Sequence, residues 1–402
     1  LRPLGAESLL LSQVARDGEI ELGTGVLMPD PSTNVPPVTI SPYSGGGGGG
    51  GGNMLGSCGG VVQSLLSRVA ADGAVVQSRR IPGVLLVDVA HSPVSGLIAV
   101  AQAGTFDLQN PVTVPGFGLA LASSVLVFSD VFAAEPDGLD DVPCAPANEA
   151  LDIRGQVTAV AITSHDSVLA QSREPAFLAI ADRNSAEVER IALDGASLAD
   201  TGHALFHRNA GGGVACASCH AEGGDDGHTW RFSEMGLRRT QSLHVGLAGS
   251  APFHWAGDER DFAALVGDVM VGRMGGARQT PERIAALEHW IYALQAPPAA
   301  RPLADEAAQR GKLLFEGEAQ CNTCHGGSAL SSNELRAVGK GEALQVPSLV
   351  GVAYRRPLMH DGCASDLRAR FETDCGGGDS HGKTSQLNES QLGDLIAYLE
   401  TL

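Results

Sequence analysis

Aromatic residues are scarce in this sequence, only 4% of its 402 positions, so each of its three tryptophans and four tyrosines is worth locating. Positive charge is short too. Lysine and arginine number 27 against 46 aspartates and glutamates, a net charge of −19. That balance argues against nucleic acid and anionic membrane as partners and favours a basic or neutral one. No apolar run approaches the ~20 residues that a bilayer-spanning helix needs. The start, Leu1-Arg2-Pro3-Leu4-Gly5, lacks the pattern of a signal peptide and reads as a mature or processed end. The run from Gly45 to Gly52 has no Lys-Ser/Thr pair after it and no strand-loop-helix frame around it. It is a flexible loop or linker, not a phosphate cradle. Hydrophobic content is nonetheless an ordinary 43%, and the length suits two or three domains.

What the sequence does have is cysteine in a telling arrangement. Of eight cysteines, four fall in two copies of Cys-x-x-Cys-His, at Cys216, Cys219, His220 and at Cys321, Cys324, His325. Two thiols at this spacing can add to both vinyl groups of a porphyrin, and the histidine that follows becomes the proximal iron ligand. A lone copy also suits a redox dithiol or half a zinc site; two copies, each with the trailing histidine, point to two covalently bound c-type haems. Haem c is attached outside the cytoplasm, where thiols also oxidise, so a periplasmic or extracellular protein is expected. The other cysteines then read as disulfides, Cys363 with Cys375 as a local bridge and Cys58 with Cys144 as the pairing left over. Free buried cysteines are the alternative.

The chain changes character near residue 200. Before it, short apolar runs at Gly83 to Ala90, Leu97 to Ala101, Val125 to Phe128, Val157 to Ile162 and Phe177 to Ala181 read as strands between turn signals. The stretch Leu10 to Gly18 matches Leu65 to Gly73, offset by 55 residues. Further Asp-Gly pairs, at Asp137-Gly138 and Asp194-Gly195, extend the series with spacings of 65 and 57. Asp-Gly between apolar runs marks a hairpin turn, and such a period suggests four-stranded propeller blades with insertions. About four units would fit, fewer than most propellers need. The expectation is an incomplete propeller, begun partway or completed by a partner, with a β-sandwich as the alternative.

After residue 200 the periodicity is helical and repeats. Gly202, Leu205 and Phe206 precede the first motif as Gly311, Leu314 and Phe315 precede the second, and the motifs start 105 residues apart. One closing helix starts at a Thr280 cap with Pro281 behind it, carries Ile284, Leu287, Ile291 and Leu294, and stops before Pro297-Pro298. The other starts near Asn388 and carries Leu392, Leu395, Ile396 and Leu399. The expected fold class is multidomain: an N-terminal all-β, propeller-like region over residues 1–199, then two tandem all-α cytochrome c domains over 200–300 and 301–402.

Three further segments support a resemblance. They are Gly227-His228-Thr229-Trp230, Phe253-His254-Trp255-Ala256-Gly257-Asp258, and Val346-Pro347-Ser348-Leu349 with Pro357-Leu358-Met359-His360-Asp361-Gly362. With the haem motifs, they make residues 200–402 resemble the bacterial di-haem cytochrome c peroxidase family, which includes MauG-type enzymes. The resemblance implies that one haem meets peroxide while the other stores and relays electrons. It gives Trp255 the place between the haems, against a plain packing role, and it suggests a calcium ion there, although no EF-hand-type loop is present. His228 is the first choice for the sixth ligand of haem one, and His254 competes with it. For haem two, His381 is favoured over Met359, while His360 is assigned to hydrogen bonding near a propionate or between the haems. Trp230 and Trp290 are assigned to packing. One departure concerns catalysis: Arg273 stands where the family places a distal glutamate. An arginine can stabilise a leaving hydroxide but is a poor base. Glu234, Asp258 and Glu259 are substitutes without positional support, and a structural Arg273 paired to a propionate is the other reading. The expected activity is that of a peroxidase-like di-haem oxidoreductase with a redox-partner protein. The rival readings are an electron-transfer cytochrome with both irons six-coordinate, its β region docking a partner, and a β region that builds the protein into a larger complex.

Overall fold

A computed structural model describes residues 2–16, 18–22, 25–27, 38–40, 43, 58, 60–104, 124–133, 144–151, 153–182, 187–339 and 341–402. The Gly45 to Gly52 run and the Asp137-Gly138 pair lie outside these residues. The chain forms two compact units. One comprises Leu1–Asp17, Gly23–Ser218 and Val269–Arg278; the other comprises Gly18–Leu22, Cys219–Asp268 and Gln279–Leu402.

The N-terminal region is all β. In chain order its strands are β1 (Arg2–Leu4), β2 (Glu7–Ala15), β3 (Glu19–Ile20), β4 (Gly25–Leu27), β5 (Val38–Ile40), β6 (Val62–Val69), β7 (Val75–Ile81) and β8 (Leu86–His91). They continue with β9 (Ile98–Gln102), β10 (Val125–Phe128), β11 (Glu149–Leu151), β12 (Val157–Ile162), β13 (Val168–Ser172), β14 (Phe177–Asp182) and β15 (Glu187–Ala192). Three four-stranded antiparallel sheets result, ordered β1-β2-β6-β7, β11-β10-β9-β8 and β12-β13-β14-β15. Each of the five apolar runs named above contains a strand, although Gly83 to Leu85 and Leu97 precede β8 and β9.

The middle sheet explains why its sequence is apolar at every position. Ile98, Val100, Leu126 and Phe128 point into a core shared with Leu9, Leu66 and Ile81 of the first sheet. Their neighbours Ala99, Ala101, Val125 and Val127 point the other way, into a core with Val157, Val168, Ala170 and Phe177 of the third. Successive side chains of a strand face opposite ways, so a sheet covered on both faces must be apolar throughout. Each fully buried side chain of this size contributes about 1.5–3 kcal/mol.

The repeat between Leu10 and Leu65 has a different meaning from the one its spacing suggested. The two segments are adjacent antiparallel strands of one sheet, with Leu11 opposite Leu66 and Leu10 opposite Ser67. They share a pattern because they line the same two faces. Asp72-Gly73 does make a hairpin turn, between β6 and β7, with Gly73 at φ 88°. Asp194-Gly195 instead follows the last strand and is exposed. Helix α1 (Thr201–His207) comes next, capped by the Asp200 side chain and burying Gly202, Leu205 and Phe206.

The second unit is mostly helices and loops. Its elements are α2 (Cys216–Cys219, shared with the first unit at its start), β16 (Thr229–Phe232), β17 (Gly236–Arg239), α3 (Phe262–Leu265), α4 (Pro281–Tyr292), α5 (Glu306–Glu316), β18 (Leu335–Ala337), β19 (Ala343–Gln345) and α6 (Glu389–Leu399). Strand β3 pairs in parallel with β16. Helix α4 takes Thr280 as its N-cap and Pro281 at its first turn. Asn388 caps α6 in a reciprocal capping box with Gln391, which satisfies two end groups at once. Phe315 of α5 and Leu395, Tyr398 and Leu399 of α6 share a core with Val352, Leu358 and Leu367. Among the described residues no helix is long and apolar enough to cross a membrane.

Candidate functional site

Gln320, at a left-handed φ of 54°, turns the chain out of the α5 end into a single 3-10 turn over Cys321–Thr323. His325 follows, buried, with its backbone N–H donating to Cys321 O at 2.9 Å. Its Nδ1 lies 3.2 Å from Leu330 O. An imidazole that donates Nδ1–H to a carbonyl keeps its Nε2 lone pair free, the tautomer an iron ligand needs. Burial, outweighing the Leu330 contact, pushes the His325 pKa down to about 4, so the ring is neutral at pH 7.

A second imidazole faces this one. The ring centres of His325 and His381 lie 6.1 Å apart, with their planes 30° from parallel. Two metal–nitrogen bonds of about 2 Å, plus roughly 1 Å from each nitrogen to its ring centre, account for such a spacing. The loop is tied in place on both sides: Arg370 Nη2 donates to His381 O at 3.0 Å, and Lys383 N donates to Ala319 O at 2.9 Å. His381 Nδ1 is buried with no hydrogen-bond partner, a cost that ligation would remove. Burial first, then Arg370 and His325, lowers the His381 pKa to about 2.

The first motif has a parallel construction. Cys216–Cys219 forms one helical turn, with Ser218 Oγ accepting from Ala215 N at 3.0 Å. His220 opens the next turn, its Nδ1 3.4 Å from Gly224 O, and burial lowers its pKa. All four motif cysteines are free of disulfides, whereas Cys58–Cys144 and Cys363–Cys375 sit at disulfide distance, Cα–Cα 5.5 and 5.7 Å. Burial pushes the Cys216 and Cys321 thiols up to about 11. A redox dithiol needs the opposite shift, so the thiols suit covalent attachment better than exchange chemistry.

The other candidates are distributed around these turns. His228 rests edge-on against Trp230, ring centres 4.4 Å apart, and its N–H donates to Asp226 Oδ1. Among the described residues its ring makes no contact with that of His220. Trp230 is buried and donates to Thr240 Oγ1 at 3.0 Å. Trp255 Nε1 donates to Arg239 O, and the Trp255 carbonyl accepts from Gln345 N, each at 2.8 Å. Its ring centre lies 6.1 Å from that of His360, which is buried with Nε2 3.6 Å from Glu342 Oε1. His254, at φ 67°, has Nδ1 3.2 Å from Asp258 Oδ1, and with Glu259 these make a group whose ligand atoms lie within 4.8 Å of one another. Met359 takes φ 70° and its carbonyl accepts from Gly362 N. Glu234 accepts from Leu22 N, and Ser233 lowers its pKa. Arg273 is half-buried at the end of the π-helical stretch Val266–Arg273. Trp290 lies on α4.

Sequence reading missed Arg239, which is buried, and Arg355 and Arg370, which are partly buried. Arg239 donates to Asp225 Oδ1 at 2.6 Å, both side chains nearly sealed at 4% and 9% exposure. Arg355 donates to Ser348 O, and burial lowers its pKa to about 10. Arg370, beside His381, is lowered to about 10 for the same reason. The available signal was Arg238-Arg239 and Arg355-Arg356, paired arginines in a chain short of positive charge. Thiols outside any disulfide, histidines kept neutral by burial, an unsatisfied ring nitrogen and desolvated arginines together fit a haem with its propionates.

Comparison with known proteins agrees. Residues 308–402 match the cytochrome c family. The chain is 25% identical over 333 residues to the methylamine utilization protein MauG of Methylorubrum extorquens, covering 65% of this chain and 92% of that one. It is 25% identical over 256 residues to hydrazine synthase subunit gamma of Kuenenia stuttgartiensis, covering 48% of this chain and 72% of that one. Among solved structures it is similar to Kuenenia stuttgartiensis hydrazine synthase, with TM-score 0.45, 22% identity and 50% and 86% coverage of this chain and that one. It is also similar to a MauG-like protein associated with microbial copper homeostasis, with TM-score 0.39, 20% identity and the same coverages. The chain is therefore a homologue of MauG and of the hydrazine synthase gamma subunit, with a haem-binding cytochrome c domain in its C-terminal region.

Proposed function

We propose that the chain is a di-haem oxidoreductase with two functionally distinct centres, one on each Cys-x-x-Cys-His motif in its own cytochrome c domain. The single observation that carries this reading is asymmetry. His325 has a second imidazole, His381, at a spacing that fits two ligands on one metal. His220 has no such ring partner among the described residues. A haem bound at each motif supplies one-electron redox chemistry, and a centre with a free sixth position can also meet peroxide.

The residues divide the work accordingly. His220 and His325 hold Nε2 toward the metal through carbonyl contacts at Nδ1, and His381 closes the second centre against exogenous ligands. His228, resting against Trp230 eight residues past His220, is the side chain that would hold a haem of the first centre from its other side. Trp255, bonded to Arg239 and to Gln345, is the conduit between the two centres. The β region, three consecutive four-stranded meanders stacked face to face, is read as part of a propeller that docks a redox partner. A basic or neutral partner suits the chain's net charge of −19. Covalent haem and two cysteine pairs at bonding distance favour a periplasmic or extracellular setting.

The test is an optical redox titration with peroxide added at half-reduction. Appearance of a high-spin, five-coordinate haem at half-reduction, followed by its reaction with peroxide, supports the enzyme. Two low-spin haems in every redox state and no reaction would instead make the protein an electron-transfer cytochrome.

A further inference from the structure

Arg239, which is buried, and Asp225 and Arg355, which are partly buried, form a charge cluster that the protein alone does not balance. Arg239 uses Nη2 on Asp225 Oδ1 and Nη1 on Thr240 O, each at 2.6 Å, and Arg355 uses Nη2 on Ser348 O at 2.7 Å. Both Nε–H groups are sealed from solvent and have no hydrogen-bond partner. Among the described residues Asp225 is the one carboxylate bonded to either guanidinium. Two positive charges therefore share one negative, with two buried donors left over. Arginine cannot escape the imbalance by losing its proton near neutral pH, and an isolated buried charge is among the costliest features a fold can carry. The cluster calls for a second anion, and paired guanidinium forks suit a carboxylate best.

The position of the cluster says whose carboxylate. Arg355 acts electrostatically on His325. It also lies between Val346-Pro347 and His360, in the segment that packs around the second motif. Arg239 extends the cluster toward Trp255, whose Nε1–H its carbonyl accepts.

We propose that Arg239 and Arg355 jointly receive a propionate carboxylate of the haem attached at Cys321 and Cys324, and that the charge balance of Arg239, Arg355 and Asp225 sets that haem's reduction potential. The proposal rests on the two-haem reading above. Ferric haem carries one more positive charge than ferrous, so nearby positive charge favours reduction and nearby negative charge opposes it.

The experiment is a spectroelectrochemical titration of the holoprotein, with haem content measured on the same samples. Arg355→Gln and Arg239→Gln should each lower the potential of the second haem, shifting its oxidised-to-reduced ratio about tenfold, equivalent to about 59 mV. Asp225→Asn should raise it, and Arg355→Lys should stay near the wild-type value. The opposite signs separate a charge effect from simple loosening of the fold, which would move all variants alike. If an arginine variant fails to retain haem, Asp225→Asn decides alone. An unchanged or lowered potential in that variant overturns the proposal. Wild-type protein without haem on Cys321 and Cys324 would overturn the two-haem reading and this inference together.

Discussion

Replacing Gly311 with alanine should force α5 away from α6. A Cβ at this position would lie 2.5 Å from the Asp394 carbonyl carbon, 2.9 Å from Tyr398 Cβ, and closer still to the Asp394 carbonyl oxygen. None of these is the tip of a flexible side chain, so the helices themselves must part, by about 1 Å in a crossing that normally spans 8–10 Å. The same crossing holds the edge-on rings of Phe315 and Tyr398, 5.1 Å apart, and the fork from Arg310 to Asp394. Overpacking costs about 1–3 kcal/mol, and a disturbed aromatic pair adds roughly 0.5–1.5 kcal/mol. Alanine's better helix propensity returns about 1 kcal/mol. The net loss should be about 0.5–3.5 kcal/mol, a fall in Tm of roughly 1–14 °C for a unit of this size. Gly393 on α6 supplies the internal control, because a Cβ there meets nothing within 4 Å. Gly393→Ala should gain about 0.5–1 kcal/mol from helix propensity alone. Thermal unfolding of both holoproteins, followed by far-UV circular dichroism, checks the pair. A Gly311→Ala protein that melts at or above the wild-type temperature would refute the close-approach argument.

Three other outcomes follow from the same structure. Asn388→Ala removes the side-chain half of the α6 capping box, the bond that Gln391 N donates to Asn388 Oδ1, and should cost about 1 kcal/mol in denaturant unfolding. Replacing Cys58 and Cys144 by serine should destabilise by about 4.5 kcal/mol, and replacing Cys363 and Cys375 by about 3 kcal/mol, because the first pair closes a loop of 86 residues and the second one of 12. Equal losses would contradict the loop-entropy account. His381→Ala should convert the oxidised second centre from low spin to high spin in the electronic spectrum and leave the first unchanged; an unaltered spectrum would shift attention to Met359.

Local chemistry was legible before any coordinates. Thr280-Pro281 and Asn388 mark helix starts because capping depends on neighbours a few residues away. Val125–Phe128 and Val157–Ile162 are strands with the bounds their apolar runs indicate. The haem motifs are equally local, since attachment chemistry dictates their spacing. Long-range partners were not legible. Nothing around His381 announces that Arg370 and Lys383 hold its loop beside His325, nor does any spacing connect Asp225 with Arg239 and Arg355. The likeness of Leu10–Gly18 to Leu65–Gly73 misled for a related reason: neighbouring strands that face the same two environments resemble each other as repeats do.

The central claim is that both Cys-x-x-Cys-His turns carry haem. The most direct test is the number of covalently bound haems per chain, measured by pyridine haemochrome on denatured protein and on variants with serine at Cys216 and Cys219 or at Cys321 and Cys324. The account predicts two haems per chain in the wild type and one in each variant. One haem in the wild type, or a count that either pair of substitutions leaves unchanged, would contradict it.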